Sequence, residues 1–194
     1  MMTPLIGLGL FLLGCSYPIV KSSSLEIKFI AALQKQFGSK TVTQFFQEMW
    51  HFGRTSFALV VLVLLSCLSW QKGLVALSIF GITVGLERIV KQLFNRQRPF
   101  KNNQQIAMLQ PLKPLDPSFP SGDALRIWYL ALITAAIFSS LPFWIAAAIL
   151  ALVISLGRIM MGVHYLSDVL AGSGLGVFAA GAAIWLWEIF QLIG

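Results

Sequence analysis

Charge is scarce in this chain of 194 residues: charged side chains make up 11% of it, against roughly a quarter in a soluble domain. That shortage excludes an ordinary soluble globular protein. Acidic residues number seven against 14 lysines and arginines, and histidine occurs only twice. Any site that needs a carboxylate or an imidazole must therefore be assembled from a handful of positions. Cysteine is limited to Cys15 and Cys67, both inside apolar runs, which argues against a disulfide framework and against a thiolate metal site. No internal repeat is evident.

Apolar surface is abundant instead, with 57% hydrophobic residues and a mean hydropathy of +0.81. This composition predicts an all-α integral membrane protein, because helices satisfy their own backbone in a bilayer. The net charge of +7 would suggest nucleic acid in a soluble chain. Here the basic residues gather at the ends of apolar runs, which points to anionic lipid or phosphate and away from nucleic acid.

Six apolar runs, at 3–20, 55–70, 73–92, 122–140, 142–157 and 165–190, predict six transmembrane helices in a single membrane domain over 1–194. The first contains Leu12-Leu13-Gly14-Cys15, which loosely resembles a lipidation site. No positive charge precedes it, so a first crossing is expected rather than a leader. Between Ser24 and Phe52 the texture is mixed. Leu25, Phe29, Leu33 and Phe37 recur every fourth residue, predicting interfacial amphipathic helices after the first crossing, with Phe45, Phe46, Met49, Trp50 and Phe52 as a second patch. His51 lies there with no acidic or basic constellation around it. Gln71-Lys72-Gly73 is expected to turn a hairpin. Residues 99–120 hold five of the eight prolines and read as an extramembrane loop or lid. Gly172, Gly174, Gly176 and Gly181 offer a small-residue face for helix packing.

If the helices alternate direction, four of their ends share one membrane face. Those ends carry Lys91 with Arg98, Ser121 with Asp123, Arg158, and His164 with Asp168. Lys91 and Arg98 are seven residues apart, two helical turns, and are expected to project together before Pro99 ends the helix. Pro120-Ser121-Gly122-Asp123 marks a loop becoming a helix, where free N–H groups and the Ser121 hydroxyl can cradle an anion and Gly122 allows close approach. His164 and Asp168 are four apart, so on a helix the carboxylate would accept the Nδ1 proton and leave Nε2 as a nucleophile. Arg158 adds a donor fork suited to phosphate. Three cations, a helix N-terminus and a histidine suit phosphoryl transfer, in which positioning and charge stabilisation carry most of the catalysis.

Lys91, six residues, Arg98-Pro99; then Pro120-Ser121-Gly122; then Arg158, five residues, His164, three residues, Asp168: this order closely resembles the three-part signature of the type 2 phosphatidic acid phosphatase superfamily. The core so matched runs from roughly residue 53 to 190. The resemblance implies a six-helix, metal-independent lipid phosphatase without a cofactor. It further implies that His164 is the nucleophile forming a phosphohistidine, that Asp168 orients it, and that Lys91, Arg98, Ser121, Gly122 and Arg158 bind phosphate. Gly157 stands where the family usually has serine, and Asp123 where it usually has the histidine that protonates the leaving group. Asp123, flanked by cations and by Arg126 one turn later, is expected to stay a carboxylate. A lipid diphosphate such as a polyprenyl diphosphate, whose leaving group needs no proton, is then the expected substrate ahead of a monophosphate. A catalytically impaired lipid-phosphate binding protein and a lipid phosphotransferase are the rivals. A channel fits less well, because its charges would line a path rather than gather at one face. Lys21, Lys28, Lys35 and Lys40 lie on the side of the site, which by the positive-inside rule favours the cytoplasm. The resemblance implies the extracytoplasmic face, and that is the expectation adopted.

Overall fold

A computed structural model of the protein describes residues 23–190 together with 5, 6, 8–10, 12 and 13. Among the described residues every regular element is helical. The expected first crossing at 3–20 lies largely outside them, although the described residues within it are helical. Helix α1 (Ser23–Phe37) is followed by α2 (Lys40–Met49), which Ser39 caps by accepting from the Val42 N–H at 3.3 Å. A 3-10 turn (Trp50–Gly53) leads into α3 (Thr55–Leu68), then come α4 (Trp70–Phe94) and the single turn α5 (Pro99–Asn102). A long loop precedes α6 (Gly122–Phe138), α7 (Leu141–Met160) and α8 (Leu166–Ile189).

Three stretches are long and apolar enough to cross a membrane, Trp70–Asn102, Leu141–Met160 and Leu166–Ile189. The bent pair Lys40–Gly53 and Thr55–Leu68, kinked by 53°, makes a fourth if counted as one span. Helices α3 and α6, with 14 and 17 residues, fall short of the roughly 20 that a crossing takes. The chain is thus an integral membrane protein with three or four such stretches among its described residues, where hydropathy predicts six.

The α3–α4 hairpin does not turn at Gln71-Lys72-Gly73, as expected. The break is one extended residue, Ser69 (φ −155°), and those three residues form the first turn of α4. Gly73 permits this, since a Cβ there would overlap Ser66 on α3. Helix α1 presents two unlike faces. Its fourfold apolar stripe looks outward, with Leu25 64%, Phe29 43% and Phe37 49% exposed, while the side turned to the protein carries Glu26, Ile30 and Gln34. Lipid solvates an apolar stripe as well as a core does, so in a membrane protein the polar side chains are the ones that need protein partners.

The core lies among α3, α4, α6 and α8, where Leu62, Phe80, Tyr129, Ile133, Ala180 and Trp187 are buried in one cluster. Its two polar tips are satisfied by carbonyls: Tyr129 donates to Ala76 at 2.7 Å and Trp187 Nε1 to Lys72 at 3.0 Å. Helices α6 and α8 approach most closely, because Gly172 and Gly176 face the Ser121 and Leu125 carbonyls, leaving no room for a side chain. That approach brings the start of α6 against the start of α8, and the Ser121 N–H donates to the Asp168 carbonyl at 2.9 Å.

Candidate active site

The polar ends of these helices surround a cavity of about 330 Å³ whose lining includes Lys91, Arg98, Gly122, Asp123, Arg158 and His164. They arrive on several supports. Lys91 sits in the last turn of α4, which ends at Phe94 when Asn95 turns left-handed (φ 41°). Arg98 is therefore not two turns further along the same helix, as expected. It caps the start of α5, and Pro99 begins that turn rather than ending α4. Asp123 occupies the first turn of α6, and Arg158 the last turn of α7.

His164 lies outside α8, in the turn after Gly162 (φ 70°), so its spacing from Asp168 is not helical. The nearer partner of Nδ1 is the Ser118 carbonyl at 2.9 Å, with Asp168 Oδ2 at 3.6 Å. A carbonyl only accepts, so Nδ1 carries the proton and Nε2 keeps its lone pair, which accepts from Arg98 Nη1. Nε2 looks into the cavity, 3.2 Å from Arg98 Nη1. Burial, then the charges of Arg98, Lys91 and Arg158, push the imidazole well below the ordinary histidine value. His164 is thus neutral near pH 7.

Asp168 and Ser121 are both fully buried and do not line the cavity. Ser121 caps α6 through the Ala124 N–H. Asp168 receives Arg96 Nη1 at 2.6 Å and the Tyr165 N–H at 2.9 Å. Arg96 continues to Glu26 on α1 at 2.6 Å and stacks on the Tyr165 ring at 3.9 Å. Glu26 in turn accepts from the Ser167 N–H and hydroxyl, both at 2.8 Å. The acid behind His164 is therefore held by a buried network that reaches α1. The signal for Arg96 was an extra cation between Lys91 and Arg98; Glu26 is the lone acid of α1.

The cations are only partly occupied. Asp123 bridges Arg126 at 2.9 Å and Arg158 at 2.8 Å. Arg158 Nη2 also donates to Gln110, yet its Nε and Nη1 are buried with no hydrogen-bond partner among the described residues. The protein thus engages only one of the three guanidinium nitrogens of Arg158. The proline-rich loop lines the site rather than merely covering it. Its Asp116 pairs with Lys91 at 2.9 Å and Arg98 at 2.8 Å, and the Pro117 carbonyl accepts from Lys91 at 2.9 Å. Burial tends to raise the Asp116 carboxyl, but Lys91 and Arg98 outweigh it and hold the group below the usual carboxylate range. Nothing in the residue pattern marked Asp116 or Gln110, whose signal is purely spatial.

Two glycines have packing causes. A Cβ at Gly122 would overlap the Glu87 carboxylate, which pairs with Arg126 at 3.1 Å and Lys91 at 3.7 Å. At Gly157 a Cβ would lie 2.6 Å from the Phe46 ring. His51 is exposed and does not line the cavity. Among the described residues no group of three histidine, cysteine or acidic side chains is placed to hold a metal ion.

The chain is similar to known proteins in sequence and in fold. The chain is 37% identical over 97 residues to an undecaprenyl-diphosphatase from Sulfolobus acidocaldarius, covering 50% of this chain and 46% of that one. It is 29% identical over 142 residues to phosphatidylglycerophosphatase B from Bacillus subtilis, covering 66% of each. The matches thus span less than two thirds of either relative. In fold it resembles the crystal structure of a transmembrane PAP2 type phosphatidylglycerolphosphate phosphatase from Bacillus subtilis, with a TM-score of 0.80, 23% identity and coverage of 95% and 96%. It also resembles that of Aquifex aeolicus LpxE, with a TM-score of 0.73, 22% identity and coverage of 83% and 95%. Residues 72–191 match the PAP2 superfamily, and that stretch carries every helix end that meets at the cavity except the start of α3; the chain belongs to the PAP2 superfamily.

Proposed function

We propose that the protein is a membrane lipid phosphatase that removes the terminal phosphate of a lipid diphosphate, of which a polyprenyl diphosphate is one, through a phosphohistidine at His164. The observation that carries this reading is a neutral imidazole whose Nε2, a partner of Arg98 Nη1, lies at a cavity also lined by Lys91 and Arg158. In the first step the Nε2 lone pair attacks the terminal phosphorus. The bond from that phosphorus to the bridging oxygen breaks, and the electron pair leaves with the lipid monophosphate. Lys91, Arg98 and Arg158 supply the charge that stabilises the transferring group. The imidazole becomes cationic in the intermediate, with its Nδ1–H held by Ser118 and Asp168 next in line. Water then cleaves the P–N bond, releasing phosphate and restoring the neutral ring.

Asp123, held between two guanidiniums, is a carboxylate with no proton to give. An alkoxide leaving group, with a conjugate acid near pKa 15.7, roughly that of water, needs that proton; a phosphate with a second pKa of about 6 hardly does. This favours the diphosphate. We further read residues 1–194 as one membrane domain with a catalytic core at roughly 53–190, six crossings, and a site on the extracytoplasmic face. On that reading the α1 and α2 lysines Lys28, Lys35 and Lys40 serve lipid headgroups.

The test is phosphate release by purified protein from the mono- and diphosphate of one polyprenyl lipid, using wild type, His164→Ala and Asp123→His. Faster wild-type release from the diphosphate, loss of turnover in His164→Ala, and a gain on the monophosphate in Asp123→His are expected. Retained turnover by folded His164→Ala refutes the covalent step. Lipid binding without any turnover points to a binding protein instead.

A further inference from the structure

One cation of the cavity remains unassigned. Arg54 lines it alongside Lys91, Arg98, Arg126 and Arg158. Those four all pair with Glu87, Asp116 or Asp123, whereas Arg54 has no carboxylate partner among the described residues. Its guanidinium sits 4.9 Å from the centroid of the Trp50 ring, a contact that positions the charge while leaving its donors free. It stands at the mouth beside the inner cluster, since the preceding Gly53 packs against Asp123 and accepts from Arg126 Nε at 2.8 Å.

Arg54 is also the cap residue of α3. No side chain caps that helix, and its first backbone bond runs from Ala58 to the Arg54 carbonyl at 3.1 Å. The N–H groups of residues 55–57 are thus without a helical partner, and Thr55 and Ser56 line the cavity. The α6 N-terminus reaches the same space through Gly122. Five cations face three carboxylates there, an excess of two. One phosphate on Lys91, Arg98 and the unpaired Arg158 donors leaves Arg54 and the α3 N-terminus unsatisfied.

We infer that Arg54, with Thr55 and Ser56 at the start of α3, forms a second phosphate subsite. It takes the lipid-side phosphate of a diphosphate ester whose terminal phosphate sits against His164. The inference rests on the lipid-phosphatase reading and identifies what makes the site select a diphosphate. As the bridging bond breaks, the electron pair moves onto an oxygen of this second phosphate, so Arg54 meets a charge that grows in the transition state. The Arg54 contact therefore acts on kcat as well as on KM.

The experiment compares wild type, Arg54→Gln and Arg54→Lys on a polyprenyl diphosphate and the matching monophosphate in neutral-detergent micelles. Calorimetric binding of methylenediphosphonate and of inorganic phosphate is measured in parallel. In Arg54→Gln the diphosphate-to-monophosphate ratio of kcat/KM is expected to fall about tenfold to hundredfold, the scale of a charge-assisted contact. Methylenediphosphonate binding should weaken by a similar factor relative to phosphate, and Arg54→Lys should recover part of both. An unchanged ratio in folded Arg54→Gln overturns the inference. So does a ratio that stays constant while the variant loses only a dependence on added anionic lipid, since Arg54 would then bind bulk headgroups. If wild type hydrolyses neither lipid, the phosphatase reading fails, and the two calorimetric affinities still decide whether Arg54 forms a second phosphate subsite.

Discussion

Gly172 offers the sharpest test of how packing positions the chemistry. A Cβ built there would overlap the Ser121 carbonyl oxygen and lie 3.0 Å from its carbon and 3.3 Å from Ala124 Cβ. The obstacle is backbone and cannot rotate away, so Gly172→Ala must separate α8 from α6 by about 1 Å to restore van der Waals distances. Overpacking of this kind costs about 1–3 kcal/mol. The consequence for turnover is larger than that loss suggests. The Ser121 N–H bonds the Asp168 carbonyl, so the displaced contact joins the start of α6, with Asp123, to the helix behind His164. A misplacement of about 1 Å near reacting groups costs about a hundredfold in rate.

Gly176, one turn deeper, makes the same approach to the Leu125 carbonyl but lies away from the cavity. Gly81 and Gly85 have open space where a Cβ would go. The expectation for kcat/KM and thermal unfolding in detergent is therefore graded. Gly172→Ala loses about a hundredfold in activity and unfolds earlier. Gly176→Ala unfolds earlier by a similar amount with a much smaller loss of turnover. Gly81→Ala and Gly85→Ala leave activity unchanged and unfold no earlier, since alanine is the better helix former. Equal activity loss in Gly172→Ala and Gly176→Ala would refute the link between this contact and the site, leaving only a general stability effect.

Three further outcomes are expected. Asp116→Asn removes the carboxylate bridging Lys91 and Arg98, so inorganic phosphate should inhibit more strongly; weaker inhibition would mean Asp116 supports the anion site rather than competing for it. The kcat/KM profile, corrected for the substrate's own titration by phosphorus NMR, should keep its activity as pH falls through about 6.5, where an ordinary histidine protonates. His164 is depressed and retains its lone pair there, so an acid limb at or above that value contradicts the assignment. Arg96→Met leaves Glu26 and Asp168 buried without their shared cation and should destabilise the fold by about 3–5 kcal/mol, read as thermal unfolding; a change under about 1 kcal/mol would mean water replaces the cation.

The helical membrane class and the meeting of polar helix ends were legible because both depend on composition and on runs of twenty residues or so. What escaped was set by single-residue backbone choices. Asn95 is of a type that favours a left-handed helix end, but the spacing of Lys91 and Arg98 was read as one helix up to Pro99; the stop at Asn95 separates Arg98 from the helix of Lys91. The partner of His164 Nδ1 is a carbonyl contributed by Ser118, and a backbone oxygen leaves no trace in a pattern of side chains. Asp168, four residues away, carried the visible signal and proved to be bound to Arg96 instead. The stripe on α1 was read as the apolar face of an interfacial helix, and that reading left out its polar reverse, Glu26 and Gln34, which does the docking. Hydropathy reports solvent preference, and where lipid is the solvent it does not say which side meets protein.

On the proposed reading Asp123 stands where a histidine would donate a proton, and that exchange cannot be judged by the lost group alone. As a carboxylate it gives up proton donation, but it also fixes Arg158 by receiving Nη2 at 2.8 Å while Arg126 holds its other oxygen at 2.9 Å. Arg158 is almost wholly buried, and a buried guanidinium without a counter-charge would carry a desolvation cost of several kcal/mol. Asp123 and Gln110 together cover one end of that group and leave Nε and Nη1 unsatisfied. On that reading the exchange trades an acid for a carboxylate that holds Arg158 in place. The trade is tolerable only where the departing group is itself a good anion. Restoring histidine at this position would supply a proton and release Arg158 at once. A gain on monophosphates in Asp123→His is thus a net result, and crossing it with Arg158→Lys in a double-mutant cycle separates its two parts.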